Sequence, residues 1–246
     1  MFNPPLILSL LIISFTSSWA DASIQLLLVN NCKQILWPGI LGNAGHETPE
    51  NGGFRLPSGH RAALNLPERW SGRIWARQGC PFDDDGGGRG PCQTGDCAGL
   101  LRCAGTSGAP PATLVEMTMG TAMNDDHYYD VSLVDGFNVP VSVVPTSHST
   151  GDCGPAACVR DLNALCPKNL AVTLHERVVG CKSACLATKN PKYCCTGEFS
   201  DKNVCKPSIF SEMFKNVCPH AYSYAYDESA GLKSCKAPRY VITFCP

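Results

Sequence analysis

The sequence predicts an all-β fold stapled by disulfides, and three observations carry that reading. All 16 cysteines, an even number, lie downstream of an apolar N-terminal run, which is the pattern of a chain bound for an oxidising compartment. With 23 Gly and 19 Pro and few long periodic segments, the composition favours short strands and turns over helices. The stretch 113–144 then alternates like strands around polar turns.

In order along the chain, residues 6–15 are almost unbroken apolar and lead to Ala20-Asp21-Ala22, a small-residue cleavage pattern. A secretory signal over residues 1–22 is expected, and with it a secreted, extracellular protein of the apoplast or cell wall. Removing Asp21 leaves 20 basic and 20 acidic residues. A chain without net charge lacks the basic field that nucleic acid requires. No paired Cys-x-x-Cys motifs occur and the six histidines are scattered, so neither a metal nor another cofactor is expected.

Ile24 to Val29 reads as an opening strand and Ile35 to Gly39 as a second, stopped by Pro38-Gly39. Gly42 to Gly53 reads as a surface loop, followed by strands at Phe54 to Leu56 and Arg61 to Leu66 around a Pro57-Ser58-Gly59 turn. Trp70 to Arg77 alternates again, with Arg73, Trp75 and Arg77 on one face and the arginine heads expected in water.

The central stretch places Leu114, Glu116 and Thr118 on one face and Val115, Met117 and Met119 on the other. The next strand places Tyr128, Asp130 and Ser132 opposite Tyr129, Val131 and Leu133. Asp135-Gly136 then opens a hairpin-type turn into a third strand, Phe137 to Val144. If Met119 pairs with His127, Glu116 faces Asp130 with Cβ atoms about 5 Å apart. Further on, Cys181 and Cys185 share a face if their segment is a helix. Ile209, Phe210, Met213, Phe214 and Val217 recur at helical spacing after Ser208 and read as a core stripe, ended by Cys218-Pro219. Ala221 to Tyr226 and Tyr240 to Phe244 read as returning strands.

The run from Gly88 to Gly99, Gly-Arg-Gly-Pro-Cys-Gln-Thr-Gly-Asp-Cys-Ala-Gly, closing at Cys103, resembles the signature of the thaumatin-like proteins, the plant pathogenesis-related class five proteins. Asn30-Asn31-Cys32, Trp37-Pro38-Gly39, Trp70 to Trp75, Asp130 to Asn138 and Tyr193-Cys194-Cys195 are similar to further landmarks of that family, in its order. The resemblance implies a flattened β-sandwich from residues 23–77, 112–159 and 219–246, a small disulfide ribbon over 78–111 and a helix-containing disulfide domain over 160–218. It also implies the pairs Cys32 with Cys245, Cys80 with Cys92, Cys97 with Cys103, and Cys153 with Cys235. The other four are Cys158 with Cys218, Cys166 with Cys181, Cys185 with Cys194, and Cys195 with Cys205.

The same resemblance places an acidic cleft on Arg73, Glu116, Asp130, Asp135 and Asp227, with His127 in place of an acidic residue more usual at the rim. Glycoside hydrolysis needs one carboxylic acid to protonate the leaving oxygen and a second carboxylate as base or nucleophile. Glu116 is the expected acid and Asp130 its partner, with Arg73, Asp135, Asp227 and Phe137 expected to hold the substrate. The implied function is a secreted, monomeric defence protein that binds β-1,3-glucan or another fungal cell-wall polysaccharide and hydrolyses it weakly. Two alternatives stand beside it. An Arg with four carboxylates also builds an ion-pair network between domains, and a non-enzymatic defence protein would act on a microbial membrane or a protein target.

Overall fold

The structure is a computed structural model, and it describes residues 24–246 apart from 84–86, 88, 122–124, 147, 148 and 230. The expected signal, residues 1–22, lies outside the described residues. Two sheets make the body. The first runs in the order β3 (Arg61–Leu66), β1 (Ile24–Asn30), β13 (Arg239–Phe244), β7 (Val141–Pro145) and β9 (Ala156–Cys158). The second runs β2 (Trp37–Gly42), β4 (Ser71–Arg77), β5 (Leu114–Thr118), β6 (His127–Ser132), β12 (Lys233–Lys236) and β8 (Thr150–Asp152). β1 pairs with β13 in parallel, and the other pairings are antiparallel.

Alternation along each strand explains why the sheets stack. β1 buries Ile24, Leu26 and Leu28, β13 buries Tyr240, Ile242 and Phe244, and β5 and β6 bury Val115, Met117, Tyr129 and Val131, all in one core. Tyr129 and Tyr240 meet across it edge to face, ring centres 5.3 Å apart. The opposite face of β5 and β6 is thereby turned outward, with Glu116, Asp130 and the exposed Tyr128 on it.

Several expected strands differ. β2 starts at Trp37 and runs through Pro38 to Gly42, because an edge strand tolerates a residue without an N–H. Phe54 to Leu56 contributes only an isolated bridge between Leu36 and Leu56. The Asp135-Gly136 turn is not a hairpin: β6 and β7 belong to different sheets, so the chain arches from one to the other and β7 starts only at Val141. The segment 221–226 is irregular, touching β6 through one parallel bridge between Ser132 and Tyr222.

Between β9 and β12 come the hairpin β10 (Ala171–Leu174) and β11 (Arg177–Cys181), then α1 (Ala184–Thr188), α2 (Pro191–Cys194) and α3 (Ile209–Val217). Cys181 ends β11 and Cys185 lies in α1, so the two do not share a helix. Ser208 caps α3 in a reciprocal pair with Ser211. Phe214 and Val217 are buried, but Ile209, at the first turn, is 75% exposed and is no part of the core.

Eight disulfides are formed, Cys32–Cys245, Cys80–Cys92, Cys97–Cys103, Cys153–Cys235, Cys158–Cys218, Cys166–Cys181, Cys185–Cys194 and Cys195–Cys205. These are the pairs that the family resemblance implies, and no cysteine is left free. The bond between Cys32 and Cys245 closes 213 residues of chain, the separation at which a crosslink most restricts the unfolded state.

Candidate functional site

Three adjacent strands carry the site as one row. Arg73 on β4 pairs with Glu116 on β5, and Glu116 pairs with Asp130 on β6, so the three side chains stand side by side on the outward face. The Glu116–Asp130 pairing is the register expected from Met119 opposite His127. The turn after β6 adds Asp135, which lines the same groove, about 420 Å³, with Leu114, Ser132, Val134, Tyr222 and Ala225.

Local chemistry fixes that turn. Gly136 adopts φ 91°, and a Cβ there would fall 2.6 Å from the Cys181 carbonyl oxygen, so only glycine lets the turn lie against β11. The backbones of Phe137 and Cys181 exchange two hydrogen bonds of 2.8 Å. Asn138, buried, accepts from the Thr113 N–H and donates to the Ala76 carbonyl and the Thr94 hydroxyl, tying the turn to β4 and the start of β5. On the other side, Tyr222 exchanges backbone bonds with β6 through Val131 O and Leu133 N, which brings its side chain beside Asp130.

The electrostatics are asymmetric. Burial, reinforced by the neighbouring Glu116 charge, pushes the Asp130 carboxyl up to about 7. Burial also raises Glu116, against the pull of Arg73 and with the push of Asp135. Among the described residues, Arg73 Nε is buried without a hydrogen-bond partner. The groove continues past the carboxylate pair into a second hollow of about 400 Å³, which Glu116 and Asp130 share with Asn43, Gly72, Thr118, Tyr128 and Leu232. Tyr128, 41% exposed, offers an aromatic face there.

Three expectations for the site need correction. Phe137 is fully buried in the core and bridges Cys181, so it offers no face to a sugar. Asp227 lies outside this groove: it is buried, accepts from Ser223 and Ser229, and pairs with Lys215 at 3.0 Å beside a separate cavity. Burial alone would raise that carboxyl, and the bonds from Ser229, Ser223 and Lys215 more than offset it, leaving it below the ordinary value. Its work is to hold the 223–229 loop. His127 is not on the rim either but in the core, its Nδ1 3.0 Å from the Tyr240 hydroxyl and its Nε2 3.2 Å from the Thr121 carbonyl oxygen, with burial lowering its pKa.

Arg77 also departs from expectation, because its head is buried rather than in water. Its guanidinium donates to the carbonyls of Trp37, Pro38, Leu100 and Leu101, which pins the 78–111 segment to β2 and β4. Burial lowers its pKa to about 10, against the pull of Asp96. Sequence alternation did not single out Ala225, but it did put Tyr128 and Ser132 on the face of Asp130, and Tyr222 on the tyrosine face of the 221–226 segment.

The described residues therefore define a disulfide-stapled β-sandwich with a carboxylate-lined groove on one outer sheet face. By its sequence the chain belongs to the thaumatin family, whose model matches residues 30–246. A thaumatin-like protein of Arabidopsis thaliana is 49% identical over 93% of this chain and 92% of its own. A glucan endo-1,3-beta-glucosidase of Prunus avium is 44% identical over 97% of this chain and 96% of its own. Among solved structures, a thaumatin-like xylanase inhibitor is 25% identical and superposes with a TM-score of 0.50 over 90% of this chain and 99% of its own.

Proposed function

We propose that the groove binds β-1,3-glucan and cleaves it slowly at internal bonds, in a secreted defence protein that acts on fungal cell walls. The observation that carries this reading is the cross-strand pair Glu116–Asp130 at the middle of an open groove, two half-buried carboxyls of which only Glu116 feels the pull of Arg73. Such a pair supplies the acid and the carboxylate that glycoside cleavage needs. The glucosidase relative supports the substrate class.

Environment favours exchanging the roles expected from the sequence. Asp130, held near 7, keeps its proton in mildly acidic solution and gives it to the leaving glycosidic oxygen. Glu116, whose carboxyl Arg73 pulls down against its burial, is placed to act as base or nucleophile. Tyr128 supplies a stacking face for a ring on one side of the cut, and Tyr222 lines the other.

Reducing-end release from a soluble β-1,3-glucan tests the proposal. Both Asp130→Asn and Glu116→Gln should reduce release on the order of a hundredfold or more while binding changes far less. Full activity in either variant would remove that residue from the chemistry. The structural likeness to a xylanase inhibitor favours a second reading, a protein target. A parent protein that neither binds nor cleaves glucan yet inhibits a xylanase would establish it.

A further inference from the structure

The hollow beside the carboxylate pair has a hydrogen-bonding character of its own, and the sheet register explains it. Two residues along each strand from the acidic row stands a neutral one: Ser71 pairs with Thr118, and Thr118 with Tyr128. Like the acidic row it points outward, because side chains two apart share a face. Two steps along an antiparallel strand cover about 7 Å. The neutral row therefore lies about the width of a sugar ring from Glu116 and Asp130.

One side of the hollow is a polar relay. The Asn43 amide donates to the Ser71 hydroxyl at 2.8 Å, and the hydroxyl oxygens of Ser71 and Thr118 lie 2.9 Å apart. The Asn43 backbone N–H also donates to the Ser71 carbonyl at 2.8 Å, which holds the relay in register. A single hydrogen lies between the two hydroxyl oxygens, whichever of them donates it. The other hydroxyl hydrogen has no acceptor among the described residues, nor has the second amide hydrogen of Asn43, and the Asn43 side-chain oxygen has no donor there. Each link polarises the next, which strengthens the groups left free at the ends. On the other side stand Tyr128, 41% exposed, and Leu232, 48% exposed, an apolar surface that the core does not use. Among the described residues, the charged groups lining the hollow are Glu116 and Asp130 alone.

An edge that both gives and accepts hydrogen bonds, with an apolar wall opposite, is the complement of a sugar ring: its hydroxyls do both, and its C–H face is apolar. A uronic acid ring has the same C–H face, but its carboxylate would stand beside two carboxyls with no cation in the lining to offset the repulsion. We propose that this hollow seats the sugar ring joined to the one being cut, reads its hydroxyls through the Asn43–Ser71–Thr118 relay, and so selects neutral glucans against acidic ones. The inference rests on the reading of the groove as a glucan site and adds to it the groups that choose the substrate.

Calorimetric titration of the whole protein with laminaritetraose tests it, with the same glucan oxidised to carboxylates at its primary hydroxyls as the charged counterpart. Asn43 and Thr118 are exposed, so Asn43→Ala and Thr118→Val leave the fold intact, which thermal unfolding checks. Each should weaken binding of the neutral sugar about three- to tenfold, the worth of one hydrogen bond. Thr118→Ser, which returns the hydroxyl, should recover it. The oxidised glucan should bind the parent at least about tenfold more weakly than the neutral one, as like charges demand. A parent that binds no laminaritetraose would overturn the groove reading and this seat with it. Where the parent binds, any of three results would overturn the seat alone: parental affinity in both Asn43→Ala and Thr118→Val, a loss that Thr118→Ser does not recover, or equal affinity for the oxidised glucan.

Discussion

Replacing Asp130 by Asn should stabilise the protein at pH 8 and leave it almost unchanged near pH 3.5. The carboxyl titrates near 3.8 when free and near 7 in the fold, because burial and the Glu116 charge both disfavour its ionised form. Since the folded value is the higher one, the unfolded chain releases this proton first, and stability falls as pH rises from about 4 to about 7. At 1.36 kcal/mol per tenfold change in acidity, the difference is on the order of 4 kcal/mol, fully expressed above pH 7. Asn has the same shape and no charge, so it should remove that cost at pH 8, where the parent carries it in full. Near pH 3.5 the parent's Asp130 is itself neutral in the fold, and the two proteins should nearly coincide. Guanidinium unfolding at both pH values, with disulfides intact, measures the difference. An Asn variant less stable than the parent at pH 8, or shifted equally at both pH values, would refute the electrostatics assigned to the groove.

Two further outcomes follow from particular residues. Arg77→Met should destabilise the protein by about 3 kcal/mol or more in the same assay, because the carbonyls of Trp37, Pro38, Leu100 and Leu101 lose their donor; a change below about 1 kcal/mol would mean water replaces the guanidinium freely. Tyr128→Ala should leave stability within about 0.5 kcal/mol, since the side chain is 41% exposed, yet weaken binding of a soluble β-1,3-glucan several-fold by calorimetry; unchanged affinity would remove it from the groove's binding face.

Much of the site was legible because period-two alternation dictates it. Once Met119 faces His127, the row Glu116–Asp130 and the buried row Val115–Val131 follow without any further information. Phe137 and Asp227 failed for the opposite reason: both lie beyond the strand ends, where alternation no longer says which way a side chain points. Phe137 follows a sheet-to-sheet arch that resembles a hairpin in sequence, since Asp-Gly serves either. Arg77 was placed in water because a buried guanidinium needs several acceptors, and those at Leu100 and Leu101 come from a segment with no period to read. Ile209 matched the apolar stripe of α3 but stands on its first turn, past the edge of the core.

The most direct measurement is to map where a laminari-oligosaccharide settles, by amide NMR of the parent protein. The account expects shifts along β4, β5 and β6 and the Tyr222 segment, centred on Arg73, Glu116, Asp130 and Tyr128, and a change in the Asp130 carboxyl titration as the sugar displaces water from the pair. Saturable shifts on any other face, with the Asp130 titration unmoved, would contradict it.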